Sequence, residues 1–170
     1  MYLLTDDSAL DFKQLIISLS WIYQNCQEAR FILKTTSDTY INVAKVLQLV
    51  DQEMYAANRM YGELLKRMEP QRDPNSKYGH YTSVSEWPWT HFPPFLKGPS
   101  YVISGDVIPR LLMASTVIPV IPMTQVYFTG LAPLMAHLMR IGVAGFFAYY
   151  PPQLGTYVIH RMEISRFLYH

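Results

Sequence analysis

The chain is short of cysteine, of net charge and of uninterrupted apolar runs, and each shortage removes a class of protein. A single cysteine, Cys26, excludes an internal disulfide. Lys and Arg number 14 against 13 Asp and Glu, a formal net charge of +1. That balance gives no long-range field for nucleic acid or an anionic membrane, so no nucleic-acid partner is expected. Met1-Tyr2-Leu3-Leu4 is too short for a signal core and lacks a basic flank, so no targeting segment is expected. Val126 to Tyr150 has roughly the length of a membrane span, with Arg140 its one permanent charge. Pro133, Gly130, Gly142, Gly145 and His137 interrupt it. Leu131, Leu134, Leu138 and Ile141 share one helical face, so a helix buried on one side is expected there rather than a span.

What is present is enough for a folded domain. The 170 residues are half hydrophobic and 14% aromatic, which excludes disorder and allows one domain over residues 1–170.

The clearest helix runs from Leu10 to Cys26. Phe12, Leu15, Ile16, Leu19, Ile22 and Cys26 follow the spacing of one apolar face, and Asp6-Asp7-Ser8 offers caps. Phe31-Ile32-Leu33 then reads as a strand buried in a parallel sheet. It ends at Thr35-Thr36-Ser37-Asp38-Thr39, after which Val43, Val46, Leu47 and Val50 mark a helix over Asn42–Gln52. Ligands in open α/β sheets sit beyond the carboxyl ends of strands, so Asp38 stands where a metal ion or a diphosphate could be met. An Asp after a strand is equally a turn former or a helix cap. The stretch Met54 to Leu65 reads as a strand leading outwards. Further helices are expected over Asp106–Ala114, with Ser104 or Asp106 as cap and Pro109 in the first turn, and over Leu131–Ile141.

Two loops carry chemistry. Pro70 to Tyr78 is dense in turn residues and contains Arg72, either a phosphate contact or an exposed loop arginine. Glu86-Trp87-Pro88-Trp89-Thr90-His91-Phe92-Pro93-Pro94-Phe95 joins prolines to aromatic rings. Such rings either stack on the C–H faces of sugars or fill a core edge.

Several of these blocks resemble, in order, the motifs of the β-1,3-galactosyltransferase-like glycosyltransferases. K-T-T-S-D-T-Y-I-N-V, from Lys34, resembles K-T-D-(D/S)-D-x-(F/Y)-x-N-V. The segment from Pro70 resembles P-x-R-D-P-x-x-K-(W/Y), and that from Glu86 resembles E-Y-P-x-x-x-(Y/F)-P-P-Y. Val126-Tyr127-Phe128-Thr129-Gly130 resembles V-(Y/F)-x-T-G, and Val158 to Met162 a closing V-x-H-R-(M/L). The helix adds Trp21 and Cys26, similar to a W-x-x-x-x-C.

The resemblance implies an α/β fold: a partial GT-A-like, Rossmann-like mixed sheet flanked by helices. It implies a hexosyltransferase moving galactose or N-acetylglucosamine from a UDP-sugar to a glycan hydroxyl, with Mn²⁺, in the Golgi membrane or lumen. Asp38, Ser37 and His160 would hold donor and metal, Arg72 a phosphate, and Glu86, Trp87, Trp89 and Phe92 the acceptor. On this resemblance the domain is expected to lack the family's N-terminal anchor and first nucleotide-binding segment.

The departures fall on the chemistry. The first aspartate of the D-x-D is Thr36, and the acidic pair that should supply the base is Thr124-Gln125. Neither a hydroxyl nor an amide accepts a proton at neutral pH. The family's C-S-G-G-G is Leu96-Lys97-Gly98-Pro99-Ser100, which reshapes the donor pocket. A catalytically inactive pseudo-glycosyltransferase, or a fragment, acting as a sugar- or partner-binding module is the other reading.

Overall fold

The computed structural model describes residues 4–36, 39–53, 55–76, 81–146, 148–149 and 156–160. Its opening helix, α1 (Leu4–Asn25), starts ahead of the Asp6-Asp7-Ser8 run, which lies inside it rather than capping it. The inward face is the one the spacing predicts. Leu19 is buried, and Phe12, Leu15, Ile16 and Ile22 pack against the same core.

β1 (Phe31–Lys34) forms at the apolar run but is neither central nor parallel. It is the edge of a sheet ordered β1-β4-β3-β5 and pairs antiparallel with β4 (Phe95–Ser104). Its unbroken apolar run has another cause, because both of its faces are covered. Ile32 packs on the α1 side, while Phe31 and Leu33 pack on the opposite side. Two-sided burial, not parallel pairing, is what such a run records.

The chain then forms β2 (Thr39–Ile41) and α2 (Val43–Gln52). Asn42 caps α2, its side chain accepting from the Lys45 N–H at 3.2 Å. The buried stripe is Val46, Leu49 and Val50, rotated from the expected one, which leaves Val43 and Leu47 exposed. β3 (Arg59–Leu65) lies inside the sheet rather than leading outwards, between β4 and the parallel strand β5 (Met139–Gly142).

Neither expected cap is used at the next helix. The Ser104 hydroxyl accepts from the Arg59 N–H at 3.1 Å, and Asp106 Oδ2 accepts from the Asn58 N–H at 2.9 Å. Both tie the start of β3 to the end of β4. A 3₁₀ turn (Gly105–Val107) leads into α3 (Ile108–Ser115), with Pro109 in its first turn as expected.

The helix expected over Leu131–Ile141 is broken into pieces. A short helix, α4 (Thr124–Val126), runs into a π-turn (Tyr127–Leu131) and α5 (Ala132–Met135). His137, at φ 53°, ends the run. The Leu138 N–H bonds the Pro133 carbonyl at 2.8 Å and the His137 N–H bonds that of Leu134 at 3.3 Å, a Schellman stop. The chain can then extend as β5. Among the described residues no helix is long and apolar enough to cross a membrane.

A second sheet is ordered β2-β7-β6, from β6 (Ala148–Tyr149) and β7 (Val158–His160). The main sheet is thus flanked on one face by α1, α3 and the segment from Tyr127 to Ala132. On the other face α2, Ile41, Phe146 and Tyr157 surround Tyr61 and Val102. A third cluster joins Trp87, Phe92, Phe95 and Val126. This is a mixed sheet with flanking helices, a partial GT-A-like arrangement.

Gly105 closes the β1–β4 edge, its N–H donating to the Arg30 carbonyl at 2.8 Å. A Cβ there would lie 2.1 Å from the Ala29 carbonyl oxygen. Gly105→Ala is expected to lower stability by about 1–3 kcal/mol, the range for overpacking, in urea unfolding. An unchanged midpoint would contradict that close approach.

Candidate functional site

β1 and β3 both run antiparallel to β4, and β5 runs with β3. The carboxyl ends of β1, β3 and β5 therefore share one rim with the start of β4. The sequence motifs gather there.

Thr35 and Thr36 leave β1 at this rim. The Thr35 hydroxyl bonds that of buried Ser100 on β4 at 2.9 Å, and the Thr36 hydroxyl bonds that of Thr39 at 2.8 Å. Thr39 in turn stands opposite His160 in the β2–β7 register. The backbone thus brings His160 beside the T-T-S-D-T segment, although the two lie far apart in sequence. Ser37 and Asp38 lie outside the described residues, and of His160 the backbone alone is described.

From the other direction, Gln125 donates its side-chain amide to the Gly98 carbonyl. Thr129, fully buried, accepts from the Leu96 N–H at 3.0 Å and lies 2.7 Å from the Gln125 carbonyl. Such back-bonding to the fourth residue before it accompanies the π-turn that starts at Tyr127. The two substituted motifs, Thr36 and Thr124-Gln125, therefore flank the substituted part of β4. Thr35 holds it at Ser100 and Gln125 holds it at Gly98. Gly98, at φ 88°, lies in a bulge where Gly62 alone faces Gly98 to Tyr101.

One carboxylate at this rim escaped the sequence reading, because β3 was expected to lead away. Glu63 faces Lys97 across β3 and β4, with its Oε1 3.7 Å from the lysine Nζ. Its Oε2 is buried and has no hydrogen-bond partner among the described residues. Lys34, the last residue of β1, is partly desolvated, which lowers its pKa against the raising effect of Asp11. Its Nζ lies 6.0 Å from the centre of the Tyr101 ring, and Tyr101 itself is pushed well up by burial.

The aromatic loop divides into anchor and surface. Trp87 and Phe92 are buried at 7% and 3% exposure, so they are core residues and not a wall open to sugar. Trp89 is 63% exposed and meets the Trp87 ring edge-on at 4.7 Å. Glu86 is engaged locally: its Oε2 accepts from the Ser83 N–H and hydroxyl at 2.7 and 2.8 Å, a capping box. Arg72 is not placed as a free phosphate contact. Its guanidinium donates to the carbonyls of Thr82, Trp87 and Trp89 at 2.8, 2.6 and 3.0 Å. It holds the loop that presents Trp89, and the cluster of Trp87 with Val126 sets that loop beside the Thr124-Gln125 turn.

The donor set suits Mn²⁺ poorly. A hard dication prefers carboxylate oxygen, and Thr36 supplies a neutral hydroxyl already bonded to Thr39. Among the described residues no group of three or more His, Cys, Asp or Glu is placed to hold a metal.

Arg72→Lys keeps the charge but loses the fork that reaches three carbonyls. It is expected to red-shift tryptophan emission and speed protease cleavage within 82–90 in the free protein. An unaltered loop, with a loss of UDP affinity instead, would make Arg72 a phosphate contact.

Comparison with known proteins agrees with this geometry. Residues 6–142 match the galactosyltransferase family. Human beta-1,3-galactosyltransferase 5 is 35% identical over 116 residues, covering 68% of this chain and 36% of the relative. Rat beta-1,3-galactosyltransferase 4 is 27% identical over 163 residues, covering 76% and 43%. The Arabidopsis thaliana beta-1,3-galactosyltransferase GALT1 is 35% identical over 79 residues, covering 46% and 12%. The chain spans less than half the length of these relatives. It belongs to the galactosyltransferase family.

Proposed function

We propose that this chain binds a UDP-hexose, galactose first and N-acetylglucosamine second, and transfers the sugar to a glycan hydroxyl in β-1,3 linkage. One observation carries the reading. The segment resembling the donor motif lies at the carboxyl end of β1 and meets the turn resembling the catalytic motif across Gly98–Ser100. The similarity to beta-1,3-galactosyltransferases supports the sugar and linkage. In this reading Trp89 offers its exposed ring to the acceptor, and the pathway is protein glycosylation in the Golgi. Asp38 and His160 are the groups left for a metal. With so few anionic ligands, donor binding is expected to depend little on Mn²⁺.

A second reading has its own observation. Gln125 spends its amide on the Gly98 carbonyl, a structural bond at the position where a base is expected. That favours an inactive module that binds sugar or a partner.

Calorimetry of UDP with the purified chain, with Mn²⁺ and again with a chelator, tests the first reading. Comparable binding in both conditions, weakened by Asp38→Ala, is expected. Strict Mn²⁺ dependence would restore the metal site, and no binding in either condition would overturn the donor site.

A further inference from the structure

The chain lacks the expected base, yet the rim holds a carboxylate with one unsatisfied oxygen. Two described side-chain atoms are buried without a partner, Asn58 Oδ1 and Glu63 Oε2. Asn58 lies just before β3, at the opposite end from the site. It turns at φ 62° and donates its side-chain amide to the His137 carbonyl at 3.2 Å. Its orphan oxygen is neutral and belongs to a turn. Glu63 differs in charge and in place. It lies toward the carboxyl end of β3, opposite Lys97 on β4, beside the Gly98–Ser100 stretch to which Gln125 and Thr35 separately bond.

The surroundings set out what Glu63 can do. Lys97 stands 3.7 Å from Oε1, so one oxygen has a cationic neighbour and the other is left over. The residue after Lys97 is Gly98, whose carbonyl receives the Gln125 amide. Glu63 is thus one strand and one residue away from the position of the lost base. Gly62 and Gly98 bear no side chains between them, and the bulge at Gly98 to Tyr101 opens the pairing just there. A buried carboxylate oxygen without a partner is disfavoured unless a ligand, water or reacting group completes it.

We propose that Glu63 is the general base of this chain, with its Oε2 taking the proton from the acceptor hydroxyl. This rests on the transferase reading above. The acceptor O–H bond breaks and its proton moves to Oε2. The acceptor oxygen forms a bond to the anomeric carbon as the bond from that carbon to the diphosphate breaks. UDP leaves with the electron pair, the anomeric configuration inverts, and Glu63 later releases its proton to solvent. Lys97 orients the carboxylate through Oε1 and is a positioning residue. Arg72 acts separately, through the loop that carries Trp89.

The test uses the full chain, UDP-galactose as donor and a simple β-linked N-acetylglucosaminide as acceptor. Glu63→Gln should leave the thermal midpoint and UDP-galactose binding unchanged and lower kcat by about 10²–10⁴-fold. Glu63→Asp, which keeps a carboxylate, should retain part of the activity. Wild-type kcat in Glu63→Gln would overturn the assignment. So would a wild-type chain that binds UDP-galactose and transfers nothing, while leaving the donor site standing. A wild-type chain that fails to bind UDP-galactose would overturn the transferase reading itself.

Discussion

The structure depends on how β4 satisfies its backbone where its neighbour stops. β1 pairs with β4 only from Lys34 opposite Tyr101 to Phe31 opposite Ser104, and β4 begins at Phe95. Among the described residues, the stretch from Phe95 to Ser100 therefore has no strand on that side. Buried backbone groups without partners are strongly disfavoured, so something else must bond them. The buried Thr129 hydroxyl does so at Leu96, accepting from its N–H at 3.0 Å and lying 3.1 Å from its carbonyl. Gln125 does so at the Gly98 carbonyl. The α4 segment and its π-turn are thereby held in line with the end of β1. That requirement of hydrogen bonding is what makes a site out of two distant motifs.

The same requirement organises the opposite wall. Arg140 on β5 donates to the Gly130 carbonyl at 3.1 Å and to that of Pro94, linking the π-turn to the proline pair before β4. Burial lowers its pKa, and the carbonyl oxygens it meets are dipoles rather than counter-charges. Arg72 repeats the device one loop away, with three carbonyls on one guanidinium. Arg72 uses both terminal nitrogens of its fork, a geometry that a lysine cannot copy, whereas Arg140 reaches its two carbonyls from one nitrogen. These two cations hold the backbone of the loops around the site in place.

How much of this was legible depends on which signal each residue carries. The inward face of α1 was readable, because Phe12, Leu15, Ile16, Leu19 and Ile22 keep a helical period long enough to settle both state and face. The two-sided burial of Phe31 to Leu33 was readable as well. Its pairing partner was not, since a short apolar run reports covered faces and not strand direction. The break after Met135 depends on His137 adopting a positive φ, which its side chain does not announce. The aromatic block was legible as a cluster. Yet Trp87 and Trp89, two residues apart, take opposite fates: Trp87 packs with Phe92, Phe95 and Val126, and Trp89 stays exposed. Glu63 was hidden by the reading of β3 as an outward strand. Only the sheet order puts its carboxylate at the rim.

The substitutions at the site are coupled, and that bears on how its chemistry changed. Gln125 donates to the Gly98 carbonyl, and a carboxylate side chain has no proton to donate at neutral pH. An acid at this position would set one acceptor against another, unless β4 turned the Gly98 carbonyl elsewhere. The backbone of β4 can present that carbonyl because Gly98 adopts φ 88° within the bulge. Thr36 follows the same logic, since its hydroxyl closes on Thr39 at 2.8 Å. Thr36 and Gln125 thus meet their neighbours through neutral hydrogen bonds, while Asp38 remains in the first motif. An acid at position 125 would meet the Gly98 carbonyl as a second acceptor. A carboxylate supplied from the neighbouring strand, where Glu63 stands, meets no such conflict, since Lys97 already faces it.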